Sequence, residues 1–211
     1  MMKVVKEMET RHLISDVELR TIVDGENEYI EGYALRFEKW SSELGGWFKE
    51  IISREALNNT DMSNVVALFN HDGNMPLARN SIASGAGSLS LEVDNFGLKF
   101  RLKPTNTTYS KDLLENVRSG LISQCSFAFR LNWDNAECDI WEYKEDEDIY
   151  ERRINDIKEI SDISLVTTPA YPDTEAFVSQ RSKDKLDKIK NEPNLLEERN
   201  RLLLELDLLK M

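Results

Sequence analysis

Apolar and polar positions alternate most regularly in "SLSLEVDNFGLKFRL" (88–102). Leu89, Leu91 and Val93 take every second place, "DNFG" turns the chain, and Leu98, Phe100 and Leu102 resume the alternation. A period of two belongs to a strand with one buried face, so this stretch predicts a hairpin. The period then changes. In "TYSKDLLENVRSG" (108–120) Leu113, Leu114 and Val117 form a stripe at helical spacing, and Gly120 stands where a glycine ends a helix. A strand is predicted from Leu121 to Asn132. Upstream, the short apolar run "NVVALFNHD" (64–72) predicts a buried strand that delivers Asn70, His71 and Asp72 to its mouth.

The remaining signals are weaker but point the same way. "GENEYIEGYALRF" (25–37) reads as a turn and a strand, and "SSELGGWFKEIISREAL" (41–57) as a Gly-Gly turn and a short amphipathic segment. Residues 132–156 are irregular and charged and predict a long hairpin with a mobile tip; residues 157–174 are β-rich and close on two prolines. The composition breaks after "PAYPDTEAF". Residues 179–194 are polar and read as a linker or loose helix. Residues 194–210 predict a helix that Asn194 caps, with Glu197 at the capping-box place and Leu195, Leu202, Leu206 and Leu209 on one face. The fold class is therefore β-rich α+β with few helices. Its domain spans residues 1–178, followed by a helical tail over 179–211.

Composition narrows the function. Lys and Arg total 27 against 39 Asp and Glu, a net charge of −12, which argues against binding nucleic acid through its phosphates. Two cysteines, Cys125 and Cys138, make no disulfide framework, and no Cys/His spacing suggests zinc, so a reduced intracellular setting is expected. No signal peptide opens the chain and no run approaches the roughly 20 apolar residues of a membrane span, so no membrane partner is expected.

The candidate chemistry sits in "LISQCSFAF" (121–129), where two nucleophiles are adjacent. Neighbours on a strand point to opposite faces. Cys125 shares its face with Leu121, Phe127, Phe129 and Leu131, a core stripe in which cysteine behaves as a small hydrophobe. Ser126 shares its face with Ile122, Gln124, Ala128 and Arg130, where a hydroxyl can meet a partner, so Ser126 is the better candidate. A serine needs a base, usually histidine. The chain has two, His12 in a polar N-terminal stretch and His71 at the end of an apolar run. Taken alone, a single loop histidine is more often structural than catalytic.

Six stretches in order change that balance: "IEGYALRF" (30–37), "FKEIISREAL" (48–57), "VVALFNHDGNMPLAR" (65–79), "GSLSLEVDNFGLKF" (87–100), "LLENVRSGLISQCSFAF" (113–129) and "ISDISLVTTPAYPDT" (160–174). Together they resemble the tailed-phage prohead proteases, capsid-maturation serine proteases related to herpesvirus assemblin. The resemblance covers about residues 8–178. It implies His71 of "NHD" as base and Ser126 of "SFAF" as nucleophile. It also implies an acid just before the "S-x-V-T-x-P-A" stretch, often glutamate in the family and Asp162 here, with Glu159 as the alternative. Two histidines in all argue against a Ser-His-His arrangement using His12. The oxyanion donors are expected near Gly85–Gly87 or next to Ser126.

The resemblance further implies a small antiparallel β-barrel flanked by helices, no metal or organic cofactor, and a site of action in the host cytoplasm inside the assembling prohead. The implied substrates and partners are scaffolding protein or the scaffolding segment of the major capsid protein, and finally the protease itself. The oligomeric state stays open, a homo-oligomer included. Two rivals remain at this point: a non-catalytic capsid-assembly or scaffold protein of the same fold, and a cysteine hydrolase using Cys125.

Overall fold

The computed structural model describes residues 8–13, 19–25, 27–167 and 182–190. The chain divides into two compact units, one from Met8 to Phe177 and one that combines Met1–Glu7 with Val178–Met211.

The described residues of the Met8–Phe177 unit form three sheets. The first has the order β1 (Glu9–Leu13), β9 (Gln124–Leu131), β12 (Ile157–Val166), β5 (Val66–Phe69), β6 (Asp72–Arg79). The second runs β10 (Asp139–Lys144), β11 (Ile149–Ile154), β4 (Phe48–Ile52), and the third β2 (Arg20–Asp24), β3 (Asn27–Arg36), β8 (Gly97–Leu102), β7 (Leu89–Val93). One α-helix, α1 (Thr108–Arg118), precedes β9.

The alternation seen in the sequence becomes the β7–β8 hairpin, with Leu89 opposite Leu102, Leu91 opposite Phe100 and Val93 opposite Leu98. Its β8 half buries Leu98, Phe100 and Leu102, whereas Val93 at the far end of β7 is exposed. Gly97 opens β8 because no side chain fits there: a Cβ would lie 2.0 Å from the Leu35 carbonyl oxygen, beside a bulge in the β3–β8 pairing. Helix α1 buries Leu113 and Val117, and Gly120 takes φ +73° just beyond its end. One apolar core joins all three sheets and α1, drawing Leu35 and Phe100 from the third sheet, Ile52 and Ile154 from the second, and Ala67, Phe127, Phe129 and Ile163 from the first.

The expected closed antiparallel barrel does not form. Closure requires the first and last strands of a sheet to pair. In the first sheet β1 and β6 instead stand at opposite edges, and none of the three sheets closes. Two neighbouring pairs are parallel, β12 with β5 and β11 with β4. The β5–β6 hairpin joins the sheet on the side of β12 away from β9, which leaves β1 and β6 as separate edges.

The charged stretch 132–156 is also more regular than expected. It forms the β10–β11 hairpin, paired without a break from Asp139 and Ile154 to Lys144 and Ile149. Its charges are partly internal. Arg152 and Glu9 are fully buried, and Asp139, Glu50 and Arg11 nearly so. Arg152 donates to Glu9 at 2.6 Å, to Glu50 at 3.0 Å and to Asp139 at 3.0 Å, while Arg11 donates to Glu50 at 2.7 Å and to Glu9 at 2.6 Å. This cluster ties the edge strand β1 to the second sheet.

In the other unit, residues 182–190 are helical and bury Ser182 and Leu186. This helix falls within the stretch 179–194 read from the sequence as a linker or loose helix. The helix predicted over 194–210 lies outside the described residues. No described helix is long and apolar enough to cross a membrane.

Candidate active site

β5 and β6 are joined by a two-residue turn, with Phe69 paired to Asp72. Asn70 and His71 both take positive φ, +52° and +56°. A tight hairpin of this kind needs that geometry at both central places and usually fills them with Asn and Gly. A histidine there is strained, and such strain persists only where the surroundings hold it. The Asn70 N–H donates to the Leu165 carbonyl at 3.0 Å, the Asn70 Oδ1 accepts the Thr167 N–H at 3.1 Å, and the His71 N–H donates to the Ser164 Oγ at 3.1 Å. The turn is thus pinned to β12.

That pinning sets the imidazole between two strands. His71 Nδ1 lies 2.6 Å from Asp162 Oδ1 on β12, and His71 Nε2 lies 2.5 Å from Ser126 Oγ on β9. The three residues singled out in the sequence therefore form one hydrogen-bonded line, although 91 and 55 residues separate His71 from its two partners. Nδ1 can donate only if it carries the proton, which leaves Nε2 free to accept from the hydroxyl. Ser126 is fully buried and the His71 side chain keeps 20% of its surface, so the line meets solvent on the imidazole side. The Ser126 hydroxyl has a second acceptor, the Arg11 carbonyl of β1 at 2.8 Å.

Two of the competing residues are placed elsewhere. Glu159 pairs with Arg130 rather than with the imidazole. Cys125 is buried in the core, where its Sγ–H faces the Ser126 carbonyl at 3.6 Å and burial pushes the thiol up to about 12. His12 stands opposite Ser126 in the β1–β9 ladder.

Two of the backbone groups at the places expected for oxyanion donors are already engaged. Gly87 lies beside Arg79, at the far end of the β5–β6 hairpin from His71, and its N–H donates to the Lys103 carbonyl at 2.8 Å. β9 at Ser126 is paired on both sides, with His12 and with Ser164. No group of three or more His, Cys, Asp or Glu that could hold a metal occurs among the described residues.

One residue of the site escaped the sequence reading. Ser164 is buried, stands opposite Ser126 in the β9–β12 ladder, and touches both His71 and Asp162. Its signals are its place two residues after Asp162, hence on the same strand face, and its position at the head of the "S-x-V-T-x-P-A" stretch.

The family model described as caudovirus prohead serine protease matches residues 15–189. The chain belongs to this family. Prohead serine proteases mature phage capsids, so a role in the assembling capsid within the host follows from membership. No curated protein matches the chain. Among solved structures, the capsid assembly protease gp21 of bacteriophage T4 is similar at 12% identity and a TM-score of 0.46, over 77% of this chain and 96% of that one. So distant a likeness adds no argument about the prohead protease site; the side-chain geometry stands on its own.

Proposed function

We propose that this prohead protease is a serine endopeptidase that cuts scaffolding protein, or the scaffolding segment of the major capsid protein, and finally itself, inside the immature prohead in the host cytoplasm. The observation that supports this reading is the imidazole of His71, within hydrogen-bond reach of Asp162 on one side and Ser126 on the other. Ser126 Oγ attacks the scissile carbonyl while Nε2 takes its proton. The imidazolium passes that proton to the leaving amine, and the N-terminal fragment stays as an ester on Ser126. Nε2 then takes a proton from water, whose oxygen attacks the ester; the acid leaves and Ser126 regains its proton. Asp162 holds the tautomer and stabilises the imidazolium.

Two measurements test this reading. A fluorophosphonate reagent should label the intact wild-type chain at Ser126, located by peptide mass mapping. Co-expression with the cognate capsid precursor should give a shortened capsid protein, and Ser126→Ala should leave the precursor whole. A folded wild-type chain that neither labels nor cuts would leave the non-catalytic assembly protein as the reading.

A further inference from the structure

We propose that Ser164 is a positioning residue of this site, a hydroxyl that fixes the histidine and its acid partner in one geometry. The inference rests on the reading of His71, Ser126 and Asp162 as a catalytic unit. Ser164 Oγ accepts the His71 main-chain N–H at 3.1 Å, donates its own proton to Asp162 Oδ1 at 3.0 Å, and lies 3.2 Å from His71 Nδ1. A hydroxyl has one proton and two lone pairs, and both functions are used here.

The two bonds do different work. The bond from the His71 N–H anchors a residue whose φ of +56° is otherwise unfavourable. The bond to Oδ1 gives the carboxylate a second donor beside Nδ1–H, which fixes the direction from which the carboxylate meets the ring. Ser164 is buried and opposite Ser126 on the next strand, so the base is referenced to the same β9–β12 ladder that holds the nucleophile. Alanine would leave the His71 N–H without this acceptor and Asp162 with one donor fewer. The imidazole would then spend less time aligned with Ser126. No contact with the reacting carbonyl is invoked, so the loss should fall on the chemical step and not on binding.

The test uses the full chain and a fluorophosphonate probe, in which Ser126 Oγ displaces fluoride from phosphorus and His71 takes the proton. Ser164→Ala should lower the limiting labelling rate by about tenfold to a hundredfold, the range for a lost charge-assisted hydrogen bond, with the half-saturating probe concentration unchanged. Ser164→Thr should restore most of the rate. Ser164→Val, which has the shape of threonine without the hydroxyl, should not, and this pair decides the matter if the alanine variant fails to fold. In a Ser126→Ala background, the far-downfield proton resonance of Nδ1–H should broaden or move when Ser164→Ala is added. Wild-type rates in folded Ser164→Ala, or equal rates in the Thr and Val variants, would overturn the assignment. If Ser126→Ala itself still labels at the wild-type rate, the underlying reading fails instead, whatever Ser164 does.

Discussion

The adjacent cysteine and serine are both fully buried, and what each side chain faces decides between them: the apolar core for Cys125, the His71 imidazole for Ser126. With its thiol pushed up to about 12, Cys125 would be ionised in only about one molecule in 10⁵ at neutral pH, and it faces the core. Cys125→Ala should therefore keep the labelling rate and cost about 1 kcal/mol of unfolding free energy, whereas Ser126→Ala should lose labelling with its denaturation midpoint intact. The opposite pattern would make the cysteine the nucleophile. His71→Ala should be as inactive as Ser126→Ala, and the double variant no worse, because groups that act as one unit do not contribute additively. Asp162→Asn should slow the reaction by orders of magnitude without abolishing it. Glu159→Gln should be nearly silent, since its partner Arg130 holds it in a partly exposed pair of the kind worth about 1 kcal/mol or less. A large loss in Glu159→Gln with normal kinetics in Asp162→Asn would move the acid role to Glu159.

Among the elements, what the sequence revealed and what it hid divide along a physical line. Periodicity reports which face of an element is buried, so the β7–β8 hairpin, helix α1 and the core stripe of β9 from Cys125 to Leu131 were legible, but the predicted alternation runs too far upstream, where Leu121 is exposed and Ile122 lies in the core. It does not report neighbours. The parallel pairing of Asp162 with Val66, which brings β12 alongside the strand that leads into the His71 turn, depends on tertiary packing and has no local signature. Buried charge was hidden for a related reason. Nothing in the local pattern marks Glu9, Arg11, Glu50, Asp139 and Arg152 as internal, yet each is buried because the others compensate it. Such a cluster contributes little net stability while intact, but it is costly to break. Arg152→Met should therefore destabilise the protein by about 3–5 kcal/mol, read from urea unfolding at neutral pH. It should also loosen β1, whose Arg11 carbonyl faces the Ser126 hydroxyl. A loss below about 1 kcal/mol would mean that the cluster does not clamp that strand.

Over the whole molecule, a net charge of −12 suits a protease enclosed in a shell that will later fill with DNA, and the purified chain should show no binding to duplex DNA even at low salt. The tail poses the larger question. The family match ends at residue 189, and the helical residues 182–190 bury Ser182 and Leu186, which makes them a poor substrate for self-cleavage, since a protease needs an accessible, extended segment. Beyond them, residues 191–211 carry Leu195, Leu202, Leu206 and Leu209 at helical spacing, interrupted by Arg199. One such stripe is too short for a coiled coil, which needs about three or four heptads, and it calls for a partner surface. If that partner is scaffold or capsid protein, the tail carries the protease into the assembling prohead. A chain ending at Lys190 should then keep its thermal transition and its fluorophosphonate labelling rate, yet be missing from particles formed on co-expression with the capsid precursor. Normal incorporation of the shortened chain would refute targeting by the tail, and loss of its folding transition would assign the leucines to the protein's own core.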